Sequence, residues 1–407
     1  MYLKHRFANT MALLLLAATI QMACPVAARD LMKPFDFNEF QQQPQVVAKD
    51  YVNSASPKTG TFSRKESIDG VHRIGIVGFQ VVFSEDTSEQ TNGSTFKGLT
   101  QGNFNDNRWE LEVQNLSPEL RQKITETVYQ QFCQELVNAG FEIEPQEHIF
   151  SNPNFSAYKT SFTAGDKDVM SATQRRTAFG KNTVWSAVPQ GFPVEKVDTT
   201  ADIFAGSRPG FMGGLSQVGA GFSAVGHLRA QGKALQDFSG FTPVAATYFV
   251  DLKKLKAIGG LLPGNPFGSS EKDSSFGLSV SPGSYIRFFT RAEAYGKDKT
   301  AANHQLNFFL KAPVQSIDNV GDIKFDKENI GTQAFTVAAN LAFHSMGMGG
   351  IQHARKVRKY ELVVQPEAYG TQAEKLLNAA NRMLILAAVD QVKRTAPSAA
   401  TPTDKTQ

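Results

Sequence analysis

Cysteine is nearly absent from this chain, with two in 407 residues. One of them, Cys24, falls inside an expected leader, so the mature chain keeps Cys133 alone. That excludes an intramolecular disulfide and leaves stability to packing. Excess charge of one sign is also missing. Lys and Arg number 42 against 38 Asp and Glu, a formal net charge of +4. Setting aside residues 1–28, which hold Lys4 and Arg6 and no acid, leaves +2. So weak a balance excludes nucleic acid as the main partner.

Histidine is sparse and scattered: His72, His148, His227, His304, His344 and His353 stand singly in the mature chain. His344 and His353 flank a glycine-rich turn and are the nearest to a ligand pair, but isolated histidines are the simpler reading. Catalytic motifs are incomplete as well. Gly214-Leu215-Ser216-Gln217-Val218, Gly221-Phe222-Ser223-Ala224-Val225 and Phe343-His344-Ser345-Met346-Gly347 each miss one glycine of a nucleophile elbow. Gly232-Lys233-Ala234 lacks the hydroxyl residue of a phosphate loop, and Gly219-Ala220-Gly221 has Ala224 at the third glycine of a dinucleotide fingerprint. In Asn103–Asn107 the calcium-loop pattern fails at Arg108 and Gln114. No catalytic, cofactor-binding or metal-binding set is assigned, and no cofactor is expected.

What is present is core material. A hydrophobic share of 41% and 31 Phe exclude a disordered, collagen-like or coiled-coil chain. At the amino end Lys4 and Arg6 precede the apolar run Met11–Ile20 and the small residues Val26-Ala27-Ala28. That order is a secretory leader, and the run of about ten residues is too short to span a bilayer as a helix. Cleavage after Ala28 is expected in preference to lipidation at Cys24, where Gln21 and Pro25 break the lipoprotein pattern.

Residues 29–66 show no sustained period and read as an extended lead-in. Ile74–Phe83 is nearly continuous in apolar residues, which predicts a central strand covered on both faces. Ser84 to about Arg108, acidic and then Gly/Asn/Thr-rich, reads as a long exposed loop. Ser117 and Pro118 open a helix with Leu120, Ile124, Val128, Phe132 and Leu136 at four-residue steps, ended by Gly140. Cys133 lies inside it as a buried, inert thiol. Phe141–Pro145 is then a short strand, completing a split βαβ unit with parallel strands.

A Gly-rich insertion at about 150–226 and a helix near Gly221–Leu235 come next. Strands resume at Ala245–Ile258, Tyr285–Tyr295, Gln305–Ala312, Gln333–His344 and Val357–Val364, with an excursion at Gly259–Gly283. A last helix carries Ala373, Leu376, Leu377, Ala380, Met383, Leu384, Ala387 and Ala388 on one stripe and must lie on the sheet. The domain plan is leader 1–28, lead-in 29–66, an α+β globular region 67–395 and a disordered tail 396–407. The fold class is α+β, a mixed sheet with a split βαβ unit, later antiparallel strands and a C-terminal amphipathic helix packed on the sheet.

The segments Phe335–Phe343 and Ile286–Ala294 alternate with the period of a membrane strand, and equally with that of a half-buried strand of a soluble sheet, the preferred reading. Arg355-Lys356-Val357-Arg358-Lys359 is the densest basic cluster. Its simplest role is a solvated strand entrance, and an anionic lipid head group or polysaccharide is the functional alternative, as for Lys253, Lys254 and Lys256.

Four parts together resemble the curli-assembly outer-membrane secretion channel family and its soluble α/β relatives. They are the strand Ile74–Phe83 running into Ser84-Glu85-Asp86-Thr87, the helix Ser117–Ala139, the segment Phe141–Glu147 and the C-terminal stretch Tyr360–Gln391. The resemblance implies an exported envelope protein of the periplasm or outer membrane that scaffolds, exports or assembles rather than catalyses. The expected partner is another protein or a second copy of the chain, with contact at the outer membrane. Two alternatives stand beside it: a periplasmic hydrolase using Glu142 or Asp251, and a periplasmic carrier with an apolar cavity lined by Phe288-Phe289 and Phe308-Phe309.

Overall fold

A computed structural model describes residues 34–55, 68, 70–91, 107–153, 155–156, 170–177, 180–194, 240–255, 275–289, 305–325 and 356–394. The leader, the helix expected near Gly221–Leu235, the strand at Gln333–His344, the tail and His227, His304, His344 and His353 lie outside the described residues. The chain divides into two compact units, Met1–Phe35 and Asp36–Gln407. All elements below belong to the second, which has the expected mixed α+β arrangement.

Strand β2 (Arg73–Ser84) is buried at every residue after Arg73, as a strand covered on both faces must be. It lies inside the larger sheet, whose path runs β1 (Val52–Ala55), β11 (Gln305–Leu310), β10 (Tyr285–Phe289), β8 (Thr242–Leu255), β2, β7 (Gly180–Ala187) and β6 (Met170–Thr177). β2 runs parallel to β8 and to the short β5 (Glu142–Ile143), and antiparallel to β7. Between the two strands of the βαβ unit lies α3 (Pro118–Asn138). The Ser117 hydroxyl accepts from Leu120 N at 3.2 Å, and Pro118 opens the first turn. At its other end Gly140 takes φ +94°, and the Phe141 N–H returns to the Leu136 carbonyl at 3.1 Å, the closure that favours glycine there.

Ile124, Val128, Phe132 and Leu136 are fully buried beneath α3. The Phe79 ring of β2 meets Tyr129, Phe132 and Tyr248 at 5.2, 5.3 and 5.7 Å. The short α4 (Gln146–Phe150) follows β5, and the last helix, α5 (Pro366–Arg394), packs beside α3 with Leu376, Leu377, Met383 and Leu384 fully buried, the face its stripe predicts. On β10 and β11, Ile286, Phe288 and Phe308 are likewise buried. Phe288 meets Phe141 and Phe308 at 6.2 and 5.8 Å, so this part of the alternating Ile286–Ala294 face is core.

A second sheet of four strands has the order β13 (Gly321–Phe325), β14 (Lys356–Val364), β4 (Asn107–Gln114) and β3 (Asp86–Thr91). It is two antiparallel pairs, β3/β4 and β13/β14, joined by a parallel β4/β14 contact. Leu111, Val113, Tyr360, Leu362 and Val364 are buried, while Glu112, Asp322 and Lys324 are exposed. Alternation therefore gives one apolar and one charged face.

Several expectations are corrected. Within the lead-in, residues 37–51 are helical rather than extended: α1 (Phe37–Gln42), capped by Asp36 through Asn38 N and Glu39 N at 2.9 Å each, is followed by α2 (Pro44–Tyr51) and then by β1. Phe37 and Phe40 carry Lys375 and Arg382 of α5 over their rings at 4.0 and 5.6 Å, and β1 adds to β11. The globular unit thus begins at Asp36. The loop after Ser84 contains β3 at once and β4 from Asn107. The region read as a Gly-rich insertion contributes the β6/β7 hairpin, and the excursion Gly259–Gly283 includes β9 (Ser275–Val280), paired with β8 and with β12 (Val314–Gln315). β3 and β6 carry little apolar alternation of their own and are held by neighbours distant in sequence, whereas β4 (Trp109, Leu111, Val113) and β9 (Phe276, Leu278, Val280) alternate at period two inside stretches that are otherwise Gly-rich and polar.

Candidate functional site

Several hydrogen-bonded polar and charged side chains gather where β2 ends, near the first turns of α3 and α5. Helices α3 and α5 follow directly on the parallel strands β4 and β14, so their amino ends come to this same end of the fold. Glu85 is the centre. Its N–H donates to the Thr183 carbonyl in β7 at 3.0 Å, and its carbonyl accepts from Val113 N in β4 at 2.8 Å, so one residue ties the large sheet to the small one.

The Glu85 carboxylate is shared. Oε2 accepts from Trp185 Nε1 at 2.8 Å, and Oε1 accepts from Arg121 Nη2 at 3.3 Å. The Arg121 guanidinium also lies over the Trp185 ring, 5.0 Å from its centre. Its side chain is 3% exposed against 34% for Glu85. Burial pulls the Arg121 pKa down, opposed by the neighbouring Glu85 charge. Its Nε has no hydrogen-bond partner among the described residues, so the buried cation depends on the Glu85 carboxylate and the Trp185 face. Asp86 accepts from Thr183 N at 2.8 Å, fixing the first residue of β3 to β7. Close by, Gln122 Nε2 donates to Glu126 Oε1 and to the Val188 carbonyl at 2.8 and 2.9 Å, securing α3 to the end of β7.

Asp251, at the corresponding level of β8, accepts from the Ser84 and Ser281 hydroxyls, one on each carboxylate oxygen. Both serines are buried. The group joins β2, β8 and the turn after β9 as a lock among three chain segments. A carboxylate flanked by two serines without a histidine does not activate either hydroxyl as a nucleophile.

Glu142 and Asp251, the two carboxylates named for the hydrolase reading, lie at opposite ends of β2. Glu142 pairs across from Arg73 at one end of β2, with Nε to Oε1 at 3.4 Å. Val250, next to Asp251, pairs with Phe83 at the other end. Ten residues of strand at ~3.3 Å each separate these levels by ~33 Å, far beyond the reach of an acid–base pair. The four phenylalanines of the carrier reading divide between the faces of the sheet. Phe288 and Phe308 pack together, and Phe289 joins a separate cluster with Val77, Ile149, Phe155, Phe241 and Ala245.

His148 is paired through Nδ1 with Glu144 Oε1 at 3.0 Å, and Arg73 holds the other Glu144 oxygen at 2.6 Å. Cys133 is half-buried rather than buried, and burial pushes its thiol up, away from the reactive thiolate. Among the described residues no group of three or more His, Cys, Asp and Glu is placed to hold a metal ion, and no helix is long and apolar enough to cross a membrane. Lys356–Lys359 lie in β14, an inner strand of the small sheet, in parallel register with Asn107–Glu110. Arg355, Lys256 and Phe335–Phe343 lie outside the described residues.

In the sequence, Ser84-Glu85-Asp86-Thr87 stands out as an acidic loop and Asp251 as a candidate acid. The partners of Glu85, Arg121 and Trp185, are not joined to it there, because they lie 36 and 100 residues away along the chain. The available signal was an arginine on the apolar side of a helix, one position past Leu120, where an uncompensated charge is costly. Comparison with family models, with curated proteins and with solved structures finds no match to this chain.

Proposed function

We propose that the chain is an exported, non-enzymatic envelope protein that acts by contact, scaffolding a partner or assembling with further copies at the outer membrane. The observation that carries this reading is the small sheet. It is raised on the Glu85 junction from two strand pairs, and its outer strands β3 and β13 each pair in the sheet with one strand among the described residues. Such edges are templates for pairing with another chain. The polar groups behind them are paired, Glu85 with Arg121 and Asp251 with the Ser84 hydroxyl, as suits a rigid mount for an interaction surface.

The leader supplies the compartment and the curli-channel resemblance the kind of work. The parallel β4/β14 pair differs from the antiparallel pairing of bacterial membrane barrels, so the contact surface is assigned to the sheet as a protein interface rather than as a wall facing lipid. The test is fractionation of the full chain expressed in a Gram-negative bacterium, with amino-terminal sequencing and cross-linking in the intact envelope. The expected result is an envelope protein beginning at Arg29 that cross-links to a partner or to itself. A cytoplasmic protein beginning at Met1 would overturn the proposal, as would a purified mature chain that turns over ester, peptide or glycoside substrates and loses that activity with Asp251→Asn.

A further inference from the structure

The strands that end the main paths of the two sheets are β1, β6, β3 and β13, and their charges differ. β1 has no charged residue, β6 has Arg175 and Arg176 without an acid, and β3 has Asp86 and Glu89 without a base. β13, Gly321-Asp322-Ile323-Lys324-Phe325, has one charge of each sign placed symmetrically about its centre. Asp322 and Lys324, two residues apart, share the exposed face of the small sheet, while Ile323 between them is half-buried. Neither charge makes an ion pair among the described residues. Across β14, Asp322 faces Val363 and Lys324 faces Glu361. The loop entering β13 presents Ile317, a large apolar side chain 47% exposed.

The geometry points to a second copy of this chain as the partner of β13, paired antiparallel about a two-fold axis through Ile323. In that register Ile323 meets the partner's Ile323, Asp322 lies directly opposite the partner's Lys324, and Lys324 opposite the partner's Asp322. Each lysine then stands between two carboxylates, Glu361 of its own β14 and the partner's Asp322. Opposite charges directly across an antiparallel pair stabilise it, and like charges oppose it. A two-fold pair is self-complementary, which is the demand an isologous interface makes. β3, β6 and β1 cannot meet this demand with charge. The four-stranded sheet becomes one of eight strands, its apolar and charged faces each continuous across the junction. A five-residue pair is short, so the dimer is expected to be reversible and concentration-dependent.

This inference deepens the reading of the protein as a contact-making component by naming the partner. Its test is the size of the purified mature chain, which is independent of localisation, so either can fail alone. Sedimentation velocity over a concentration series should show a monomer–dimer equilibrium. Asp322→Lys, which faces Val363 in its own chain and so adds no like-charge neighbour across β14, should weaken dimerisation by roughly tenfold or more. Lys324→Asp should do the same. Mixing the two variants should restore a heterodimer, and the double variant D322K/K324D should restore a homodimer. Circular dichroism of each variant checks folding, and because Lys324→Asp places an acid opposite Glu361, Asp322→Lys and the double variant carry the test if that single variant unfolds. A wild-type chain that stays monomeric, a dimer indifferent to Asp322→Lys in a folded protein, or a higher oligomer unaffected by these changes would each overturn the proposal.

Discussion

Arg121 of α3 is held between Glu85 and Trp185: its Nη2 lies 3.3 Å from Glu85 Oε1, and its guanidinium lies 5.0 Å from the indole centre. The same Glu85 oxygen pair also receives the Trp185 N–H at 2.8 Å. The three side chains come from the end of β2, the first turns of α3 and the middle of β7, so the contact fixes a helix and two strands at once. Buried charge is tolerated here because its partners are fixed by the backbone, with Glu85 bonded on both sides.

Removing Glu85 should therefore cost more than a surface ion pair. Glu85→Ala leaves Arg121 buried without its counter-charge, and because Glu85 is itself 34% exposed the expected loss is about 2–4 kcal/mol, below the full cost of breaking a buried pair. Glu85→Gln, which keeps an acceptor for the indole, should lose less. Urea midpoints followed by Trp185 fluorescence in a Trp109→Phe background measure both. Equal stability of Glu85→Ala and the parent would show that Arg121 finds its compensation elsewhere.

Asp251 should behave as a structural carboxylate. Asp251→Ala deprives the buried Ser84 and Ser281 hydroxyls of their acceptor, for an expected loss of about 2–4 kcal/mol. Ser84→Ala combined with Asp251→Ala should cost less than the separate losses added together, because each change removes the same bond. Strict additivity in the denaturation midpoints would argue that the two groups do not act as one unit.

The elements that could be read from the sequence are the long ones with a strong apolar signal: β2 announces itself as an unbroken apolar run, α3 and α5 by apolar residues at the spacing of a buried helix face, and Ser117, Pro118 and Gly140 mark the limits of α3. α1 and α2 are six and eight residues long, too short for a period to emerge, and are placed by packing on α5. β3 and β6 are polar strands whose place is set by pairing with β4 and β7. The candidate site was half legible. Ser84-Glu85-Asp86 stood out by charge, but Arg121 lies 36 residues from Glu85 and Trp185 lies 100, and only the folded chain joins them.

Glu374 gives a signed pH dependence. Its carboxyl, packed on α5, is held above the usual value of 4.5 by burial, with Lys123 opposing. A carboxyl raised in the folded state binds its proton more tightly there than in the unfolded chain, so its contribution to stability falls as pH rises from about 4.5 through the raised value, then levels. Glu374→Gln removes this loss. The stability difference between variant and parent should be smallest at acid pH and should move in favour of the variant as pH rises to neutrality. A difference constant over that range would show that Glu374 titrates alike in both states.

Tyr248 of β8 carries the opposite kind of polar burden, an uncharged group with nothing to bond. Its side chain is fully buried, its ring packs 5.7 Å from that of Phe79, and its hydroxyl has no hydrogen-bond partner among the described residues. Burial accordingly drives its pKa well above the ordinary tyrosine value, since a phenolate there would be both desolvated and unpaired. A buried hydroxyl without a partner loses its bonds to water on folding and regains none, while the ring contributes its packing whether or not the oxygen is present. Tyr248→Phe should therefore keep the ring contacts and be neutral or stabilising by up to about 1 kcal/mol. Tyr248→Ala, which removes the ring and opens a cavity between β8 and α3, should destabilise by about 3–5 kcal/mol. Thermal and urea unfolding of the two variants beside the parent distinguish the contributions. A loss of more than about 1 kcal/mol in Tyr248→Phe would mean that the hydroxyl is bonded in solution, and that the core around Phe79 holds an acceptor or an ordered water.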